Sequence, residues 1–190
     1  MMTRPGVAVL MPHPRTGGQF VDTIEASLAW EHRQKLKLVY RVNGAMTRLQ
    51  VPAPRPPLRA EGLWQHTCFE AFIKASASPN YYELNFSPSG EWAAYAFRSY
   101  RDGGPFGDDS LDPAISINIE EDRLVLNAVI DLSRLPAVRS AARLLIGLSA
   151  IIEASDGLLS YWALNHPADK PDFHHPDSFA LELALPGESA

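Results

Sequence analysis

Tyr81-Tyr82-Glu83-Leu84-Asn85-Phe86 is the stretch whose reading decides the fold. In an extended chain successive side chains point to opposite faces. Tyr82, Leu84 and Phe86 therefore form one row, and Tyr81, Glu83 and Asn85 form the other. The first row is apolar and belongs in a core. The second places a ring, a carboxyl and an amide side by side. Ser78-Pro79-Asn80 precedes the stretch and Ser87-Pro88-Ser89-Gly90 follows it, so turn-forming residues confine it to strand length.

The same two-residue period recurs along the chain, and sustained helical periodicity is scarce. It runs through Thr23 to Trp30, Lys35 to Val42, Cys68 to Ala75, Trp92 to Phe97, Ile115 to Ile119, Leu124 to Ile130, Leu144 to Ile152, Leu158 to Leu164 and Phe179 to Leu185. Asn43-Gly44 has the composition of a tight hairpin turn, because both residues tolerate positive φ. It predicts a hairpin in which Met46 to Val51 returns against Lys35 to Val42. Proline at positions 52, 54, 56 and 57 makes the next segment an extended connection without ladder donors. The one helical candidate is a turn or two around Leu132 to Ala142, capped by Ser133 and limited by Pro136. Many short strands separated by turns predict an all-β, antiparallel β-sandwich of jelly-roll or immunoglobulin-like type. A single domain is expected over residues 1–190, with an opening hairpin segment at 20–51.

Composition narrows the function. The chain has 190 residues, 46% of them hydrophobic, which is ordinary for one globular domain with a real core. The net charge of −5 argues against nucleic acid, whose phosphates call for clustered Lys and Arg. The apolar run Val7 to Met11 is too short for a secretory h-region, and Leu144 to Ile152 is too short for a membrane span. One cysteine, Cys68, rules out an intrachain disulfide. These features predict a cytoplasmic protein with no membrane partner.

The polar row of the opening stretch is the first candidate site. On the segment Cys68 to Ala75, Phe69, Ala71 and Ile73 take the apolar face, which leaves Cys68, Glu70 and Phe72 opposite. If the two strands pair, Glu70 and Glu83 come together on the non-core face. Rings give flat contact to the C–H faces of a sugar, and Glu or Asn bonds its hydroxyls. The plain alternative is the solvated side of an antiparallel sheet, which is polar in any case. Trp64 and Trp162, each flanked by polar residues, are the stacking candidates, against core packing for each alone. Tyr100 and Arg101, before Gly103-Gly104, form a possible rim. The stretch from Asn165 to Asp177 is rich in His and Asp, but its prolines and adjacent ligand types suit a structural loop better than a metal site. No metal and no cofactor is expected. Gly-x-Ser-x-Gly, phosphate-loop and dinucleotide patterns are absent. Cys68, two residues from His66, reads as a buried thiol.

The runs Leu63-Trp64-Gln65-His66-Thr67-Cys68-Phe69-Glu70-Ala71-Phe72 and Tyr81 to Gly90, with Tyr161-Trp162-Ala163-Leu164 and Pro171-Asp172-Phe173-His174, resemble the DOMON-like and family 9 carbohydrate-binding-module-like superfamily. The resemblance covers residues 62–186. It rests on Trp-x-x-x-x-x-Glu and Tyr-Glu-x-Asn-x-x-x-x-Gly taken together. It implies a jelly-roll sandwich that binds sugars or haem, usually without catalysis. It also implies ligand-face places for Trp64, Glu70, Glu83, Asn85 and Trp162; Tyr81, from the polar row, and Arg101, from the rim, complete the expected ligand-binding set. Haem would need an axial Met and His, and no pattern joins Met46 to His66. The expected function is non-catalytic binding of a carbohydrate or similar small polar ligand. Its rivals are an enzyme using Glu70 and Glu83 as a carboxylate pair and a protein-interaction module, with a homodimer as one form.

Overall fold

The protein is described by a computed structural model over residues 6–186. Those residues form strands β1 (Val7–Pro12), β2 (Val21–His32), β3 (Lys35–Gly44), β4 (Cys68–Ala75), β5 (Tyr81–Phe86), β6 (Trp92–Ser99), β7 (Asp102–Pro105), β8 (Ala114–Ile119), β9 (Arg123–Asp131), β10 (Arg143–Glu153), β11 (Leu159–Ala163) and β12 (Leu181–Ala184). Every pairing between them is antiparallel. One layer runs β1-β2-β3-β9-β8 and the other β7-β6-β5-β4-β10-β11-β1. β1 belongs to both: Val7 to Leu10 pair with β2, and Met11 and Pro12 pair with β11. β12 lies against Arg143 to Ile146 of β10, on the stretch that β11 leaves free. The all-β sandwich is as expected.

Alternation builds the core between the layers. On β3, Leu36, Leu38, Tyr40 and Val42 are fully buried while the residues between them are partly exposed, and β9 repeats this with Leu124, Leu126, Ala128 and Ile130. From the facing layer come Phe69, Ala71 and Ile73 of β4, Tyr82, Leu84 and Phe86 of β5, and the even-numbered residues of β10, all in one hydrophobic cluster. Tyr40 crosses the gap. Its hydroxyl donates to the Glu70 carbonyl at 2.7 Å, and its ring packs on Phe69 with centroids 5.0 Å apart.

β4 and β5 depart from the half-wet pattern of an antiparallel sheet. All six residues of β5 and the first six of β4 are buried. A second cluster, including Phe72, Tyr81, Ile151, Phe173 and Phe179, occupies their outer face. The connection from β11 to β12, residues 164–180, covers that face. Gly147 lets it come close: a Cβ there would stand 2.9 Å from the Ser178 carbonyl oxygen.

Several local expectations are corrected. The opening hairpin joins β2 to β3 through the two-residue turn Arg33-Gln34, with a bulge between Trp30 and His32. Asn43-Gly44 ends β3 instead, and Met46–Arg48 is a single 3-10 turn whose Met46 enters the core. Gly44 has its N–H bonded to the Asp122 carbonyl and its Cα close to Phe20, so the chain leaves the sheet there rather than folding back. The helical candidate shrinks to the 3-10 turn Leu132–Arg134, capped by Asp131 and not Ser133. Tyr100-Arg101 is the tight turn between β6 and β7, and Gly103-Gly104 lies within β7.

Trp162 is 3% exposed within the main core, its ring against Gly18 and its Nε1–H donating to Ser160 Oγ at 3.0 Å. Truncating Trp162→Ala is expected to cost about 3–5 kcal/mol, as for other large buried rings. Chemical denaturation measures this, and a loss below ~1 kcal/mol would refute the core assignment.

Candidate functional site

The outer face of the second layer bears Glu70 and Phe72 from β4, Tyr81, Glu83 and Asn85 from β5, Tyr95 and Phe97 from β6, and Tyr161 from β11. Together with the β6–β7 turn and the 171–174 part of the covering segment, this face encloses a cleft of about 500 Å³. That is within the range of small-molecule sites. A smaller cavity of about 190 Å³, beneath residues 16–21 and Leu158, carries no titratable side chain. A groove near His66 does carry carboxylates, but they are engaged: Glu153 by His66 at 2.8 Å, Glu91 by Ser89 at 2.8 Å.

Two carboxyls form the cleft floor. Glu70 is 2% exposed and Glu83 7%. Glu70 stands directly across from Asn85 on β5 and from Ser149 on β10, while Glu83 stands across from Phe72. The two glutamates are thus diagonal neighbours, roughly 7 Å apart at Cβ in ordinary sheet geometry. Ser149 Oγ–H donates to Glu70 Oε2 at 3.2 Å, and Asn85 Nδ2–H donates to Glu83 Oε1 at 3.0 Å. Burial pushes Glu70 well above the usual carboxylate range, and repulsion from Glu83 adds to this against the Ser149 bond. Burial raises Glu83 to about 7, against the opposing pull of the Asn85 bond and Arg101.

His174 closes one side. The Arg101 backbone N–H donates to Tyr81 Oη at 3.1 Å, which leaves the Tyr81 hydroxyl proton for His174 Nδ1 at 2.9 Å. The imidazole proton is then on Nε2, 3.4 Å from Glu83 Oε2. Burial, with Arg101 nearby, lowers His174 to about 4, so this contact is a neutral imidazole against a carboxyl and not an ion pair near neutral pH. Arg101, in the left-handed conformation at φ 55°, bonds Asp172 at 2.8 Å, and Tyr100 Oη–H reaches the other Asp172 oxygen at 2.7 Å. Phe97 stacks on Tyr81 with centroids 4.7 Å apart. Trp64 stands at the rim, 49% exposed, and Tyr95 Oη–H donates to Glu61 at 2.8 Å.

Trp64, Glu70, Glu83 and Arg101 therefore meet in one cleft, as their residue types suggested. Tyr81 and Asn85 stand behind it, one aligning His174 and the other holding Glu83. Trp162 is corrected out of the site: it opposes Ala150 on β10 and points into the core, so Tyr161 takes the cleft side. Sequence reasoning missed Tyr95, Tyr161, Phe173 and His174. Tyr95, between Ala94 and Ala96 in an alternating strand, carried a readable signal; Phe173 and His174 depend on where the covering segment lies. Cys68 is fully buried, and burial first, then Glu70 and Glu83, raises its thiol. Met46 and His66 are a core residue and a surface partner of Glu153. Among the described residues no group of three or more His, Cys, Asp or Glu is placed to hold a metal ion, and no helix is long and apolar enough to cross a membrane.

Proton binding gives the floor a signature. Folded Glu83 keeps a proton that the unfolded chain releases near 4.5, so its contribution to stability falls as pH rises from 4.5 to about 7. His174 acts oppositely: the unfolded chain binds a proton near 6.5 that the folded state excludes down to about 4. Relative to the wild type, Glu83→Gln is expected to gain ~1 kcal/mol in stability for each pH unit between 5 and 7, and His174→Gln to lose a similar amount for each unit between about 4 and 6.5. Parallel denaturation curves for wild type and variants would refute these assignments.

Comparison with solved structures places the fold. The chain is similar to a protein from Bacteroides uniformis proposed to bind carbohydrate, at 15% identity and a TM-score of 0.65, over 95% of this chain and 86% of that one. It is also similar to a family 9 carbohydrate-binding module from Caldicellulosiruptor kristjanssonii solved with cellotriose, at 12% identity and a TM-score of 0.60, over 97% and 84% of the two chains. A family 9 module from the same organism, solved with glucose, matches at 14% identity and a TM-score of 0.51, over 88% and 78%. The sandwich thus has the same fold as these proteins. No protein-family model and no curated relative matches the sequence.

Proposed function

We propose that this protein binds a carbohydrate in the cleft above β4 and β5 without transforming it. The observation that carries the reading is the convergence of Trp64, Tyr95 and Tyr161 with two floor carboxyls on one concave surface. Rings on the walls suit the C–H faces of a pyranose, and the floor supplies directional partners for its hydroxyls. The fold adds support, since modules of this architecture have been solved with cellotriose and glucose. Glu70 is the more deeply buried of the two floor carboxyls and is bonded to Ser149, which leaves Glu83 as the carboxyl best placed to meet a ligand. That favours binding over hydrolysis by an acid–base pair, which needs both groups at the reacting bond. The buried thiol of Cys68 suits a reducing compartment, and we place the protein in the cytoplasm.

Calorimetric titration with glucose and short gluco-oligosaccharides tests this. Trp64→Ala is expected to weaken binding about tenfold while leaving the melting temperature nearly unchanged, because Trp64 is half exposed. Glu83→Gln is expected to weaken it by a similar factor through loss of a charge-assisted hydrogen bond. Release of nitrophenol from nitrophenyl glycosides, lost in both Glu70→Gln and Glu83→Gln, would replace this reading with an enzymatic one.

A further inference from the structure

The floor of the cleft holds two carboxyls with no cation set against them among the described residues. Glu70, nearly fully buried, has one hydrogen-bond donor, Ser149, on Oε2, and Oε1 has none among the described residues. Asn85 Oδ1, on the residue directly across from Glu70, is buried and unpartnered too. Glu83 is met by an amide N–H and a neutral imidazole. Arg101 is the sole Lys or Arg lining the cleft among the described residues, and Asp172 engages it at 2.8 Å. Polar groups this deeply buried are ordinarily satisfied. Here Glu70 and Glu83 line a cleft large enough for a ligand.

The walls point the same way. Phe72, Tyr95, Tyr161 and Phe173 present rings to the space above the carboxyls. Aromatic faces attract a cation, and the attraction grows when water is excluded. A neutral sugar would use the rings and leave the carboxyls without a cation. A sugar that also carries an ammonium group would use both.

We infer that the cleft selects an amino sugar with a free amine, its ammonium held at Glu83 and its ring against Tyr95 and Tyr161. The inference rests on the carbohydrate reading above and names the class of sugar. Glu83 is faced by Glu70 and Cys68 from β4, Tyr95 from β6, Arg101 from the β6–β7 turn and His174 from the covering segment. Asp172 engages Arg101 and His174 is neutral, so no cation already held in the cleft competes with one arriving at Glu83. Its arrival favours the ionised carboxyl. Because Glu83 titrates near 7, binding below that pH expels a proton from Glu83 to solvent.

Calorimetry at pH 6.5, in two buffers of different ionisation enthalpy, compares glucosamine, N-acetylglucosamine and glucose. Glucosamine is expected to bind at least tenfold tighter than the other two and to release up to one proton, with no release for the neutral sugars. In Glu83→Gln the preference is expected to fall to about unity and the proton release to vanish, while the fold is checked by circular dichroism. Glu70→Gln, which keeps Glu83, is expected to retain a preference and serves as a second variant should Glu83→Gln unfold. Equal affinity for the three sugars, or a preference that survives Glu83→Gln, overturns the amino-sugar inference and leaves carbohydrate binding standing. Failure of all three to bind overturns both.

Discussion

Everything at the cleft depends on how residues 164–180 are held over the outer face of β4 and β5. Without that cover the face would be the wet side of an antiparallel sheet. The hold has two parts. Phe173 and Phe179 pack into the outer cluster with Phe72 and Tyr81, which supplies most of the driving force. The Arg101–Asp172 pair and the Tyr81–His174 bond then fix where the segment stops. Arg101 is half exposed, and such a pair alone contributes little to stability. Its role is registration: it sets His174 beside Glu83 rather than elsewhere along the sheet.

This cover changes the chemistry of residues that would otherwise be unexceptional. Water removed from the floor raises Glu70 and Glu83 together and lowers His174. A sheet surface would let all three titrate near their ordinary values. The fold holds these groups at a cost in stability, and strained or desolvated groups of this kind cluster where proteins bind or react. Tyr40 shows the other side of the same strand: it ties the Glu70 backbone to the facing layer, so the carboxyl is presented from a rigid position.

The sequence made the sandwich and the floor legible for one reason, the two-residue period. In β5 it separates Tyr82, Leu84 and Phe86 from Tyr81, Glu83 and Asn85, and in β4 it sets Glu70 against Phe69 and Ala71. Pairing the two strands was enough to bring the glutamates together. The period does not say which of two adjacent rings faces inward, and Tyr161-Trp162 reads equally well either way; packing against Gly18 and Ala150 decides it. Turn chemistry misled at Asn43-Gly44 because the true hairpin turns at Arg33-Gln34, which carries neither Gly nor Asn. His174 was out of reach for a different reason. A loop's local sequence does not reveal which sheet it will cross.

The correction at Trp162 also explains why the cleft and the core cannot vary independently. β11 is a five-residue strand between β10 and β1, fixed in register on both sides. A one-residue slip would exchange every side chain between faces, placing Trp162 in the cleft and Tyr161 in the core. The bond from Ser160 Oγ–H to the Ile152 carbonyl of β10 and the close fit of the Trp162 ring against Gly18 oppose that slip. Tyr161 is therefore presented to the cleft by the packing of its neighbour. At 12–15% identity to proteins of the same architecture, the backbone frame is shared while such neighbour pairs are set locally. In the proposed reading, the ligand preference of this cleft follows from those pairs and from the carboxyls that β4 and β5 hold beneath them.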